Sequence, residues 1–347
     1  MTPGRLLVAG DCEPDRIFLE TIERELGMEV DVFYIDSTDE KRSKRLRRHL
    51  SYMIVAVKAF AVKDRYSHII FWQQFIGFYY GLLTRFSFRR RSLPMALLLP
   101  LIYKKRIGAL RILYRTAYAF LLSAPGVRFF ICHSSSEREA YIKEFGHEFT
   151  DRMIFVRYGV RMPVVVDRKE NSQSKYFFSG GTSNRDYRTL LEAFSRLDEK
   201  LKIACYHKDV QGLIVPPNAD IIHNIFKGQF LALLEEAAGI ILPLSDPSIS
   251  AGQLVLLDAM RLGKPVIVTR SSGTEDYVGE GEALLIEPRS AEAIREAVAN
   301  FTHDRERAEA LGRQARLKYE NNFTIEKYAE RISALLKNQV QDCAIER

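Results

Sequence analysis

One short stretch of the chain holds the residue types needed to grip a phosphorylated nucleoside. Residues 248–269 read SISAGQLVLLDAMRLGKPVIVT. Ser250, Ala251 and Gly252 form a small-residue loop. Gln253 then opens a run in which Leu254, Leu257, Met260 and Leu262 recur at helical spacing. A helix rising from such a loop leaves its first backbone N–H groups without intrahelical acceptors, and with the helix dipole these attract a phosphate. Asp258 stands about two turns in, where a carboxylate can accept hydrogen bonds from ribose hydroxyls. Gly263, Lys264 and Pro265 stop the helix and start the next strand. The plain alternative for the same letters is a helix, a turn and a strand with a serine cap.

A second stretch, residues 177–194, reads FFSGGTSNRDYRTLLEAF. Gly180 and Gly181 end an apolar strand and permit close approach of a ligand. Arg185 follows them, and a guanidinium binds phosphate bidentately without losing its charge. His133 ends another apolar strand, ahead of the helix-start signal Ser134-Ser135-Ser136-Glu137. A lone histidine in such a place serves structure more readily than catalysis. Cys12, Cys132, Cys205 and Cys343 are scattered, without paired metal-ligand spacing, and there is no Asp-x-Asp triplet or His/Cys cluster. The expectation is therefore chemistry without a metal or a cofactor.

The elements that position these residues are short apolar runs alternating with helical stretches. In the first half, residues 6–10, 30–35, 68–72, 95–99, 127–132 and 153–156 read as strands, and 16–26 as an amphipathic helix. The polar run 167–175 (DRKENSQSK) reads as a linker. Strand–helix alternation then restarts, from the strand at 176–179 to the strand at 283–286, and ends in helices at 291–300, 305–321 and 325–337. A chain of 347 residues suits two domains, each large enough for its own core. The expected division is residues 1–166, a linker at 167–175, residues 176–322, and a C-terminal helix and tail at 323–347 that can pack back on the first domain. The expected class is α/β, with two doubly wound Rossmann-like domains facing across a cleft and ligand beyond the carboxyl ends of the strands.

At this point a resemblance becomes specific. Residues 248–269 are similar to the nucleotide-sugar site of family-4-like retaining glycosyltransferases of the GT-B fold (glycosyl transferases group 1). The family pattern there is Glu, seven residues, Glu, then Ala-Met, Gly and Pro-Val. The resemblance places Asp258 on the second glutamate, which holds the ribose, and Ser250 on the first, which approaches the transferred sugar. Gly252 and Gln253 fall where the family offers backbone donors to the distal phosphate. In residues 177–194, Arg185 takes the place of the diphosphate-binding lysine. Gly181 stands where many members carry an arginine, so a second cation is absent or comes from Arg188 or Lys208. Residues 129–159, with ICHSSSEREAYIKEFG and DRMIFVRYGV, resemble the family's strand, helix and Asn-Gly-Val turn, with Tyr158 replacing the asparagine. The histidine that relatives often place in the first domain is not obvious here, leaving His133 and His68 as candidates. The resemblance thus implies Arg185, Ser250 and His133 as catalytic, and Gly180, Gly181, Arg185, Gly252, Gln253 and Asp258 as donor-binding. It implies a sugar nucleotide as donor, a hydroxyl acceptor, and no metal.

Charge supplies the remaining expectation. The chain is +7 overall, yet residues 1–165 hold 27 Lys and Arg against 17 Asp and Glu. From Lys41 to Arg128 there are 19 basic residues and one acidic residue, Asp64. Lys41–Arg48 (KRSKRLRR) precedes an apolar run at 52–62, and Arg89-Arg90-Arg91 precedes another at 93–103. Interleaved basic and apolar runs suit an anionic membrane surface, and none is long enough to span one. A solvated charged face is the plain reading of the same pattern. Nucleic acid is not expected, because the aromatics of this region sit in apolar runs and no nucleic-acid motif accompanies them. The first residues run straight into an apolar strand, so no leader is expected. The expectation is a cytoplasmic enzyme, peripheral on the inner face of the plasma membrane, acting on a glycan or lipid-linked glycan of a bacterial surface polysaccharide. A sugar-nucleotide binder without turnover, and a basic nucleic-acid-binding protein, are the alternatives.

Overall fold

The computed structural model describes residues 4–36, 45–86, 94–99, 110–162 and 176–345. It contains two α/β units, each built on a six-stranded parallel sheet. The first comprises Met1–Val156 together with Tyr328–Arg347, and the second comprises Arg157–Lys327.

In the first unit the chain runs β1 (Arg5–Gly10), α1 (Arg16–Leu26), β2 (Glu29–Tyr34), α2 (Arg45–Ala61), β3 (His68–Phe71) and α3 (Gln74–Arg85). It continues through β4 (Met95–Leu98), α4 (Leu110–Leu122), β5 (Phe129–Cys132), α5 (Ser135–Phe145) and β6 (Met153–Phe155). The sheet order is β2-β1-β3-β4-β5-β6, with every pairing parallel. Helices cover both faces of such a sheet, so its inner strands are mostly apolar runs, whereas the edge strand β2 alternates Glu29 and Asp31 with Val30 and Val32. Leu6, Leu7, Val8 and Ala9 are all fully buried, as are Ile69, Ile70 and Phe71. Leu7, Ala9, Phe71 and Leu98 share one core with Tyr52 and Val55 of α2 and Tyr118 of α4. Of the apolar runs of this half, 52–62 lies mostly on the amphipathic α2, and the described part of 93–103 holds the buried strand β4. Among the described residues no helix is long and apolar enough to cross a membrane.

The second unit runs β7 (Phe177–Gly180), α6 (Tyr187–Phe194), β8 (Leu201–Ala204), α7 (His207–Val210), β9 (Ala219–Ile222), α8 (Lys227–Glu236) and β10 (Gly239–Leu242). It goes on through α9 (Gln253–Arg261), β11 (Val266–Thr269), α10 (Ser272–Glu275), β12 (Leu284–Ile286), α11 (Ala291–His303), α12 (Arg305–Asn322) and the start of α13 (Ile325–Ile345). Its sheet order is β12-β11-β10-β7-β8-β9. The order reverses direction at β7 and β10, so the carboxyl ends of these two neighbours form the switch point where ligands bind in open α/β sheets.

The units divide elsewhere than the apolar pattern indicates. The pattern ends the first domain at residue 166, whereas residues 157–162 are stitched to the second unit. Arg157 donates to the Asp276 carbonyl at 2.9 Å, and Arg261 donates to that of Arg161 at 2.6 Å. Val160 bridges Thr324, and the Tyr319 hydroxyl donates to the Val160 carbonyl at 2.6 Å. Hydrogen bonds of this kind leave no trace in local hydrophobicity, which is all the pattern reads. The expected linker at 167–175 lies outside the described residues. From Tyr328 onward α13 groups with the first unit: Tyr328 meets the Phe18 ring at 5.9 Å, and Lys337 lies 3.3 Å from Glu25.

Candidate functional site

The switch point of the second unit gathers two loops. The first, between β7 and α6, carries Gly181 at φ +106° and Asn184 at φ +56°. Asp186 caps α6, accepting from the Thr189 amide at 3.1 Å, and the Tyr187 hydroxyl donates to the Gly181 carbonyl at 2.5 Å. The second loop leads from β10 to α9. Asn184 staples the two together. Its Nδ2 donates to the Asp246 carbonyl at 2.8 Å, and its Oδ1 accepts from Ser245 Oγ at 2.7 Å and from the Asp246 amide at 3.0 Å. Arg185 forms an antiparallel bridge with Leu244, so its side chain starts beside the second loop.

The Arg185 guanidinium is fixed from below. Its Nε donates to the Gly180 carbonyl at 2.9 Å and its Nη1 to the Ser183 carbonyl at 2.7 Å. A Cβ at Gly181 would lie 2.7 Å from Nη2, and one at Gly252 would lie 3.7 Å from Nη1. Gly181 therefore makes room for the guanidinium, and both glycines take a positive φ that residues with a Cβ rarely adopt. Burial pulls the Arg185 pKa below its ordinary value, and no carboxylate among the described residues pairs with it. An arginine stays charged at any pH that leaves the protein folded. The result is a desolvated cation whose hydrogen-bond partners are neutral carbonyls and whose Nη2 donors are unspent.

Beside it begins α9. Its N-cap is Gly252 at φ +95°, which offers no side chain to the first turn. The Leu256 amide is the first of the helix to return, bonding the Gly252 carbonyl at 3.0 Å. The amides of Gln253, Leu254 and Val255 thus point from the helix start without a cap, which is the arrangement that binds anions. Gln253 Nε2 donates to Ser250 Oγ at 2.5 Å, and Gly273 packs so closely that its Cβ would stand 3.0 Å from the Ser250 Cα.

The structure therefore brings Gly180, Gly181, Arg185, Gly252, Gln253 and Ser250 together. Asp258 is farther along α9 and is engaged: its Oδ1 lies 2.8 Å from Arg261 Nη2, with side chains 15% and 8% exposed. Burial raises the Asp258 pKa, while Arg261 and Lys227 oppose the rise. The i,i+3 pairing with Arg261 is readable from helical spacing, whereas the proximity of Lys227 is not. Of the proposed second cations, Arg188 is exposed on α6 and Lys208 lies 4.0 Å from Asp209. Asn184 escaped the sequence reading. Its signal was its type, since asparagine adopts the left-handed region more readily than other residues with a Cβ.

The two candidate histidines belong to the first unit. His133 Nε2 lies 3.1 Å from the Tyr328 hydroxyl, and its backbone N–H donates to Glu137 Oε2 at 3.3 Å. Desolvation lowers its pKa to about 3, so the ring is neutral near neutral pH and packs against α13. His68 is buried in β3, 2.9 Å from Ser67 Oγ, with its pKa lowered by burial. These surroundings suit packing roles for both.

Comparison with known proteins bears on this arrangement. Residues 167–318 match the family model for glycosyl transferases group 1. A putative teichuronic acid biosynthesis glycosyltransferase of Bacillus subtilis, TuaC, is 39% identical over 59 residues, which is 17% of this chain and 15% of that protein's length. Among solved structures, sucrose-phosphate synthase from Thermosynechococcus elongatus aligns with a TM-score of 0.69 at 17% identity, over 98% of this chain and 100% of that one. HepE of Anabaena in complex with UDP aligns with a TM-score of 0.65 at 14% identity, over 96% and 100%. The fold is that of the GT-B proteins, with two Rossmann-like domains. The switch point, with its uncapped helix and an arginine that no carboxylate among the described residues pairs, lies inside residues 167–318, the part of the chain that is similar to the glycosyl transferases group 1.

Proposed function

We propose that the protein is a retaining, metal-independent glycosyltransferase that moves a sugar from a nucleoside diphosphate donor to a hydroxyl acceptor. One observation carries the reading: the desolvated, carboxylate-free guanidinium of Arg185 stands against the uncapped start of α9. A cation and a helix dipole aimed at one point stabilise the charge that develops on a departing diphosphate. In the transfer, the bond from the sugar C1 to the diphosphate oxygen breaks as the acceptor oxygen bonds C1 from the same face. The acceptor proton passes to the leaving phosphate oxygen. Asp258, oriented by Arg261, serves the ribose through the carboxylate oxygen not committed to the ion pair. HepE has been crystallised with UDP, with UDP and glucose, and with UDP-glucose, which supports a nucleotide-sugar donor for this fold.

The acceptor in this reading is a lipid-linked glycan of surface polysaccharide synthesis, met at the cytoplasmic face of the membrane. The named role of TuaC in teichuronic acid biosynthesis and the basic first half of the chain support it. The basic run Lys41–Arg48 lies partly outside the described residues, which resume at Arg45.

The test is Arg185→Ala, assayed in excess chelator. Loss of a charge-assisted contact of roughly 1.5–3 kcal/mol should lower kcat/KM about ten- to hundredfold with the fold intact. Wild-type kcat/KM in the variant overturns the assignment, and loss of wild-type transfer in chelator, restored by magnesium, overturns metal independence. A second reading, binding without turnover, is favoured by Ser250, an uncharged side chain tied to Gln253 where relatives place a glutamate. Donor binding by the wild type with no transfer to any glycan acceptor would select it.

A further inference from the structure

We propose that the solvent-facing side of α2 docks the first unit onto an anionic lipid bilayer by seating apolar side chains among the headgroups. The inference rests on the lipid-linked acceptor reading and names the surface that meets the membrane. A helix on a soluble domain turns a polar face to water. Here α2 does not. Its inner face buries Tyr52, Val55, Ala56 and Ala59 against the sheet. Its outer face exposes Leu46 (86%), Leu50 (52%), Met53 (44%), Ile54 (43%) and Val57 (47%). At 3.6 residues per turn these five fall within an arc of about 100°, a continuous stripe along the helix. Arg47 and Lys58, both exposed, border the stripe on one side.

Charge chooses the occupant. Helices α2, α3 and α4 contain no Asp or Glu, and they pack side by side on one face of the sheet. In the same layer α4 exposes Ile112 and Leu113 beside an exposed Arg115. A second copy of the chain would bring the same positive face against itself, because a two-fold interface pairs identical patches. An anionic bilayer instead neutralises the bases and accepts the apolar stripe, as in helices that lie in the membrane plane. Nothing in α2 could span the bilayer, since the helix is 17 residues long and carries Arg45, Arg47, Arg48 and Lys58.

The experiment uses the full chain and vesicles of phosphatidylcholine with and without phosphatidylglycerol. Wild type should sediment with the anionic vesicles and stay in solution with the neutral ones. The combined variant Leu50→Ser, Ile54→Ser, Val57→Ser keeps every base and alters only exposed positions, so it should fold normally. It should bind anionic vesicles at least tenfold more weakly. An Ile54→Trp variant should shift its emission to the blue and be quenched by brominated lipid when anionic vesicles are added. The proposal fails if wild type ignores anionic vesicles, if the triple variant binds as wild type does, or if emission of the Ile54→Trp variant stays unshifted. It also fails if sedimentation velocity shows a dimer that the triple substitution dissolves, which would give the stripe to a second copy. Donor and acceptor are absent from these assays, so vesicle binding is judged separately from transfer. Failure of the Arg185→Ala test would overturn the enzyme reading and leave the vesicle result standing.

Discussion

In the first unit the helices that follow β1, β3 and β5 each begin with a side chain folded over their own first turn. Asp15 accepts from the Ile17 amide, Gln73 from that of Phe75, and Ser134 from that of Glu137. In the second unit α9 begins at Gly252 with no such side chain, beside an arginine that no carboxylate among the described residues pairs. Both units share the strand-to-helix geometry, and the difference is who satisfies the first amides. A side-chain cap stabilises a helix by about 0.5–2 kcal/mol, so omitting it costs stability unless a ligand supplies the acceptor. The first unit satisfies these helix starts with its own side chains, whereas the start of α9 has no side-chain cap, as the proposed anion site requires.

The sharpest way to break this contrast is to give α9 the cap it lacks. In Gly252→Asp a carboxylate competes for the free amides and neutralises Arg185. Affinity for a free nucleoside diphosphate should fall roughly thirtyfold, about 2 kcal/mol, by isothermal titration. The positive φ of Gly252, +95°, strains an Asp there, so the melting temperature should fall somewhat and the affinity is read on the folded variant. Unchanged affinity would mean that the helix start does not meet the donor.

Asn184→Ala should come next. It removes three hydrogen bonds between the two loops and puts alanine at φ +56°, for a loss of about 1–2 kcal/mol of stability and a lower kcat/KM. Asn184→Gly relieves the backbone but not the lost bonds, so it separates the two causes. If both variants transfer normally, the staple does not position Arg185.

Asp258→Asn should weaken nucleoside diphosphate binding by roughly 0.5–1.5 kcal/mol, since an amide accepts from two ribose hydroxyls less well than a carboxylate. It also strips Arg261 of its ion pair, so stability falls as well. Lower stability with full affinity for every nucleotide tried would leave Asp258 a structural residue.

The smallest effect on transfer belongs to His133. Its pKa falls from 6.5 to about 3 on folding, so the unfolded chain takes up the proton first as pH drops. Its contribution to stability is complete above pH 6.5 and is lost progressively towards pH 3. In urea titrations across that window, His133→Gln should show a shallower loss than wild type and leave transfer near neutral pH unchanged. An equally steep loss would show that other groups govern the acid limb.

The contrast also marks where the sequence stopped being readable. Apolar runs such as Leu6–Ala9 and Phe129–Cys132 had to be buried strands, because a parallel sheet hides both faces. Gly180, Gly181 and Arg185 were legible from glycine's conformational range and the fixed charge of arginine, as was the small-residue loop before Gln253. These are local properties, encoded within a few residues. By contrast, that Arg185 has no carboxylate partner among the described residues depends on the chain segments folded around it. The Asn184 staple joins loops some sixty residues apart, the claim of the second unit on residues 157–162 runs through hydrogen bonds to Asp276 and Phe323, and the outward stripe of α2 exists only because the sheet claims the helix's other apolar face. Sequence determined the elements and the chemical types at the site, because propensity and hydrophobic period act locally. Tertiary structure decided which polar groups were spent and which were left for a ligand, because hydrogen bonds and desolvation are settled by distant neighbours.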